Sequence, residues 1–228
     1  MVWFVVFMAI LTLADKAMAV ALVMGVFFLV LGGNLGPFFL LAMLYFLFLS
    51  AIVTKIGHSY KVRAKLYEKQ RGIKNVLANG GWPLFMVVVY FLMRGSAFQS
   101  LAVVGFLSAL AAVMADKFSS EIGVLDGIPI SIIGFRKVDK GVSGGVTWVG
   151  LLAGLLGSAL IAALLLFLGS FIAVTPYIFL AVVAGGFGGT LFDSVLGWFE
   201  EKGIGNKFTS NFFGSVFGSL ISIIVVLL

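Results

Sequence analysis

Three acids, Asp116, Glu121 and Asp193, lie in or at the edge of segments apolar enough to cross a bilayer. A charged side chain at the membrane centre costs about 3 kcal/mol on insertion scales, so intramembrane acids are rare and default to functional candidates. Their neighbours are hydroxyls and glycines: Asp116-Lys117-Phe118-Ser119-Ser120-Glu121-Ile122-Gly123 in one place, Gly185 through Ser194 in the other. Hard oxygen donors on flexible backbone suit Mg²⁺, which keeps several waters and is usually bound by one or two carboxylates plus substrate phosphates. On a helix Asp116, Ser119 and Ser120 share a face, whereas Glu121 points elsewhere unless the helix ends near Ser119. The competing reading of Asp116 is an ion pair with Lys117, Arg136 or Lys137.

Other polar groups recur at helical spacing. Asn75 and Asn79 are one turn apart and share a face, suited to interhelical hydrogen bonding or to a ligand. Asp193 and Glu200 are two turns apart with Ser194 beside them, and Asn206 and Asn211 follow. Lys137 and its charged neighbours lead into Gly141-Val142-Ser143-Gly144-Gly145-Val146-Thr147. Successive N–H groups of Ser143, Gly144 and Gly145 in such a turn, with Thr147 at the start of a helix, form either an anion-binding nest or an ordinary connector. No Walker A spacing occurs in the chain. With no cysteine and only His58 as histidine, thiolate metal sites and a cysteine nucleophile are excluded and a Ser-His-Asp triad is disfavoured.

The elements that position these groups follow from composition. Of 228 residues, 62% are hydrophobic and 11% charged, against about 25% charged in a soluble domain, so the chain is an integral membrane protein. The net charge of +6 is not a nucleic-acid footprint: seven of the fifteen basic residues fall between two apolar segments, at Lys55, Lys61, Arg63, Lys65, Lys69, Arg71 and Lys74. That cluster reads as a cytoplasmic loop, with anionic headgroups or phosphorylated ligands as a second use. Spans are expected at 2–14, 17–31, 36–54, 76–93, 97–115, 143–168, 172–197 and 208–228, giving one all-α, polytopic transmembrane helical bundle of seven or eight spans. Placing the loop at about 55–75 in the cytoplasm puts 116–142 and 198–207 there too. The charged chemistry of a multi-pass cell-membrane protein then faces one side. Pro37, Pro83 and Pro176 are read as lying near segment starts. Gly150/Gly154 and Gly214/Gly218 are read as close helix packing, whereas the four glycines in 185–189 are expected to break a helix near the cytoplasmic face.

Taken in order, Asn75 through Gly81, Asp116 through Gly123, Gly141 through Thr147, Gly185 through Gly197 and Asn206 to Asn211 resemble an integral membrane family that includes plant phytyl-phosphate kinase and animal transmembrane protein 19. The resemblance covers nearly the whole chain. It implies nucleotide-dependent phosphorylation of a prenyl monophosphate to the diphosphate, with CTP as donor. Asp116, Glu121 and Asp193 would then hold Mg²⁺ between nucleotide and isoprenoid lipid phosphate. Asn75, Asn79, Ser119, Ser120, Lys137, Ser143, Gly144, Gly145, Thr147, Ser194, Glu200, Asn206 and Asn211 would contact substrate. Lys117, Val142 and Glu200 depart from the family pattern, where a threonine, a hydroxyl residue and a glutamine are expected. A nucleotidyltransferase and a transporter of phosphorylated lipid are the rival readings; homo-oligomerisation stays open.

Overall fold

The computed structural model describes residues 15–66 and 72–228; the expected span 2–14, Lys69 and Arg71 lie outside them. Seven long helices run through the described chain: α1 (Lys16–Gly32), α2 (Gly36–Lys55), α4 (Ile73–Leu92), α5 (Gln99–Gly123), α6 (Trp148–Ala162), α7 (Pro176–Glu200) and α8 (Lys207–Leu227), with a short α3 (His58–Arg63). Six helical stretches are long and apolar enough to cross a membrane, the first being the 40-residue run Lys16–Lys55. That run is a hairpin. Gly33 adopts φ 55°, open to glycine, and a Cβ on Gly36 would collide with the Leu29 carbonyl. Its limbs of 17 and 20 residues fit the membrane-spanning range of about 17–25.

Helix starts are set by caps. Asp15 accepts from Met18 N at 2.8 Å, Thr147 from Gly150 N at 3.0 Å and Thr175 from Ile178 N at 3.2 Å. Asn206 and Thr209 form a reciprocal capping box at the start of α8. Two expectations need correction here. The segment expected as a span from 143 becomes helical only at Trp148, because Gly145–Val146 (β2) pairs antiparallel with Ile130–Ser131 (β1). Pro83 lies inside α4, not near its start, since the helix begins at Ile73. A proline there supplies no N–H to the carbonyl of Asn79, one turn earlier.

Helix α5 is the hub: every residue from Ala102 through Ala115 is buried. Small residues let its neighbours approach. A Cβ on Gly157 would stand 2.9 Å from the Met114 carbonyl, and one on Gly186 2.6 Å from Ala111 Cβ. The glycine-broken helix expected at 185–189 is continuous instead. A Cβ on Gly189 would sit 2.6 Å from the Gly214 carbonyl, and one on Gly218 2.8 Å from the Gly185 carbonyl. Contact between the α7 and α8 backbones offsets the poor helix propensity of glycine, as small-residue faces do in lipid. Ser222 Oγ donates to the Ala181 carbonyl at 2.8 Å across the α7–α8 seam, and Ser158 Oγ to the Val183 carbonyl at 2.9 Å between α6 and α7.

Alternation of the seven long helices puts α3 and the 124–147 and 201–206 connections at one end of the bundle. The tight turns at 33–35, 93–98 and 169–175 lie at the other. All the polar motifs therefore fall in the loop-bearing end.

Candidate functional site

A cavity of about 340 Å³ opens at that end, walled by α1, α2, α4, α5, α7 and α8 and roofed by α3 and the 124–147 connection. The acids Asp116, Glu121, Asp193 and Glu200, the amides Asn75, Asn79 and Asn211, and the hydroxyls Ser119, Ser120, Ser143, Thr147 and Ser194 all line it, with Gly144 and Gly145. Lys137 and Asn206 do not. Lys137 is exposed on a segment that bridges Ile130, and the Asn206 side chain is consumed in capping α8 at Phe208 N and Thr209 N. These two expected substrate contacts thus lie outside the cavity lining.

Within the cavity the acids separate into two arrangements. The Asp116 and Asp193 carboxyl groups lie within hydrogen-bonding reach of each other, with the charges of Lys207 and Glu200 close to Asp193. Two carboxyl groups this close need a proton or a cation between them. A void of about 10 Å³, the size of one water, borders Asp116, Asp193 and Asn211. Glu200 presents a buried Oε1 with no hydrogen-bond partner. Glu121, five residues beyond Asp116, sits on another face of α5. It is held by Lys61 Nζ at 2.5 Å, by Lys117, and by Thr54 Oγ1 at 3.0 Å. Lys61 is 1% exposed and also donates to the Thr54 carbonyl at 2.9 Å. Among the described residues no three acids or histidines come together as a metal cluster, so the acid pair is not joined by Glu121.

Amides connect the pair to α4. With its nitrogen turned toward acceptors, Asn211 donates to the Lys207 carbonyl at 3.1 Å and to Asp193 Oδ1 at 3.2 Å; turned the other way it donates to Asn79 Oδ1 at 3.2 Å. Asn79 in turn donates to Asn75 Oδ1 at 3.3 Å. An amide carries donor and acceptor on one head, so the direction of this chain follows what Asp193 holds: an ionised carboxylate takes the Asn211 N–H, and a protonated one donates to its oxygen.

The glycine-rich connection serves packing. Gly144 (φ +78°) lies on α7, where a Cβ would stand 2.7 Å from Trp198 N, and Gly197 returns the contact at 2.8 Å from Gly144 N. The Ser143 N–H donates to Glu201 Oε1 at 2.9 Å and the Gly145 N–H to the Val142 carbonyl at 3.1 Å, so two donors of the expected nest are already engaged. Thr147 caps α6 and donates to the Gly123 carbonyl at 3.3 Å.

Sequence reasoning passed over Lys61, Lys117 and Lys207 as lining groups. Lys117 carried a signal, being four residues from Glu121 and adjacent to Asp116. Lys61 carried none, since it is one of a run of basic residues and only α3 turns it inward. Lys61 and Lys117 on the α3 side, already paired with Glu121, and Lys207 on the α8 side thus share the chamber with the carboxyl groups of Asp116, Asp193 and Glu200, a mixture of charges suited to an anion bound together with a cation.

The family description "Integral membrane protein DUF92" matches residues 1–219. The chain belongs to this family. Within DUF92, an uncharacterized membrane protein of Methanocaldococcus jannaschii is 36% identical over 190 residues, covering 82% of this chain and 76% of the relative. Protein PGR of Arabidopsis thaliana is 32% identical, covering 68% of this chain and 62% of its own length. The chloroplastic protein VTE6 of the same plant is 32% identical, covering 60% of this chain and 42% of its own. The match thus spans less than two thirds of either plant protein. No solved structure matches the chain.

Proposed function

We propose that this DUF92 protein is a membrane-embedded phosphotransferase that converts a prenyl monophosphate to the diphosphate with a nucleotide donor, CTP. The observation that carries this reading is a cavity that brings the Asp116–Asp193 pair together with Lys61, Lys117 and Lys207, while α1 and α2 line it with apolar side chains. Kinship with the plant phytyl-phosphate kinase VTE6 supports the same chemistry.

Asp116 and Asp193 would hold Mg²⁺, since carboxyl oxygens in contact beside a water-sized void fit a small hard cation. The buried Oε1 of Glu200 is a ready partner for one of its waters. When bound, the ion supplies neutralisation of phosphate charge. Lys117 and Lys207 steady phosphate oxygens, Ser119 and Ser120 donate to them, and the Asn79 carbonyl freed by Pro83 offers one more acceptor toward bound water. An acceptor phosphate oxygen attacks the γ-phosphorus, the bond to the β–γ bridging oxygen breaks, and the nucleoside diphosphate leaves with that electron pair. The acceptor is already an anion, so no protein nucleophile is required, and catalysis consists of positioning and charge stabilisation. By the positive-inside bias this chamber would face the cytoplasm.

The test is incubation of purified protein with radiolabelled CTP or ATP, Mg²⁺ and geranylgeranyl phosphate, with identification of both products. Prenyl diphosphate and nucleoside diphosphate are expected. Release of pyrophosphate would instead make the protein a nucleotidyltransferase, and nucleotide-independent flux across vesicles would make it a transporter.

A further inference from the structure

Away from its polar residues the cavity is lined by apolar side chains of α1 and α2 that the chemistry above does not use. On α1 the residues that line it are Ala21, Met24, Gly25 and Phe28; on α2 they are Leu40, Met43, Leu44 and Leu47, with Phe46 beside them. Both sets follow the spacing of a single helix face, so the two limbs of the α1–α2 hairpin form the walls of one slot. From Ala21 to Phe28 the slot descends about 10 Å at the rise of an α-helix. Phe28, 2% exposed and edge-on to Phe106 at a 6.0 Å centroid distance, closes the bottom. Partway down, Gly80 of α4 faces the thioethers: a Cβ there would stand 2.7 Å from Met24 Cε and 3.7 Å from Met43 Cε. Leu44 and Leu47 line the slot while staying 49% and 43% exposed, so this wall also forms part of the bundle's outer surface.

We propose that this slot holds the tail of a single-chain isoprenoid phosphate, and that Gly80, Met24 and Phe28 set the chain length accepted. It rests on the reading of the polar end as a lipid-phosphate site, because the cavity that holds Ser119 and Lys117 is continuous with these apolar residues of α1 and α2. The occupant has one chain because there is one slot. Flexible thioethers accommodate methyl branches along it.

Binding alone tests this, with nucleotide omitted. Geranyl, farnesyl and geranylgeranyl monophosphate compete against labelled farnesyl monophosphate for the full chain in detergent, with hexadecyl phosphate as the unbranched comparison. Affinity is expected to rise with isoprenoid length until the slot is full, and hexadecyl phosphate to bind more weakly than geranylgeranyl phosphate. Gly80→Val should lower geranylgeranyl affinity about tenfold, the scale of a lost fit in an apolar pocket, with far less effect on the geranyl compound. Gly80→Ala should do the same to a smaller degree, so the direction survives if the valine variant does not fold. Phe28→Ala and Met24→Ala should each shift preference toward the longer chain. Equal weakening of all three ligands by Gly80→Ala, or binding independent of length, overturns the slot. Graded binding with no transfer from any nucleotide retains the slot and removes the phosphotransferase; transfer with no length dependence does the reverse. Failure of every prenyl phosphate to bind removes both.

Discussion

Asp116 and Glu121 are carried by the same helix, five residues apart, and meet opposite surroundings. Asp116 turns toward α7 and α8, where it finds another acid, a water-sized void and an amide chain. Glu121 turns toward α2 and α3, where the Thr54 hydroxyl and the Lys61 ammonium meet its oxygens, joined by Lys117 of its own helix. One acid is placed where a cation is needed and the other where cations are already supplied. An intramembrane acid is therefore not a functional site by virtue of its charge; its neighbours decide whether it binds or braces.

The largest expected effect lies on the Asp116 side. Asp116→Asn keeps size and hydrogen-bonding capacity while removing a charge from the pair. Transfer should fall about a thousandfold, equivalent to ~4 kcal/mol in the barrier, while the unfolding midpoint in detergent stays level or rises. Full activity in that variant would falsify the assignment of the acid pair to the metal.

Glu121→Gln should do the opposite. Removing its charge leaves Lys61, 1% exposed, without its anion, and breaking one side of a buried pair costs about 3–5 kcal/mol. The expected result is a lower unfolding midpoint, with activity lost in proportion to folded protein. Replacing the lysine as well, Glu121→Gln with Lys61→Met, should restore much of the midpoint, because two neutral groups need no partner. If the single variant is fully stable yet inactive, Glu121 belongs with Asp116 and the contrast between them disappears.

The spans at 17–31, 36–54, 76–93, 97–115, 172–197 and 208–228 were legible because a bilayer demands long apolar segments, and charged loops falling on alternate connections fixed a common end. The identity of most lining residues was legible for the same reason: polar groups in lipid are costly and stand out. Partnership was not legible. Nothing in the spacing of Asp116, Glu121 and Asp193 says which two meet, because that depends on how α5 is rotated against α3 and α7. The glycines at 185–189 misled because local helix propensity was weighed without the α8 backbone they admit. Lys61 was hidden among basic neighbours that stay on the surface, and the apolar slot was hidden because hydrophobic stripes in a membrane protein carry no mark of whether a neighbour or a ligand covers them.

A smaller effect tests how far the Asp116 side extends. Asn211→Leu removes the amide that reaches Asp193 Oδ1 while nearly preserving volume. Its loss strands a hydrogen bond to a charged group, worth about 1.5–3 kcal/mol, so transfer should drop roughly ten- to a hundredfold with Mg²⁺ dependence shifted to higher concentration. A change in turnover without any change in the Mg²⁺ requirement would separate the amide chain from the acid pair and confine it to helix packing.

The smallest effects belong to the residues outside the cavity. Asn206→Ala deletes the cap of α8 and should cost about 1 kcal/mol in stability, with Asn206→Ser recovering most of it and neither altering the Mg²⁺ requirement. Lys137→Ala should change transfer by less than about twofold, as expected for an exposed charge whose field is screened within about 10 Å by salt. A tenfold loss in Lys137→Ala, absent at high salt, would mean that its charge acts on the approach of nucleotide from solution. The same loss persisting at high salt would place Lys137 against bound phosphate, with the 132–144 segment folding over the chamber during the reaction, and would move the site's cationic wall from Lys61 and Lys117 to the loop above them.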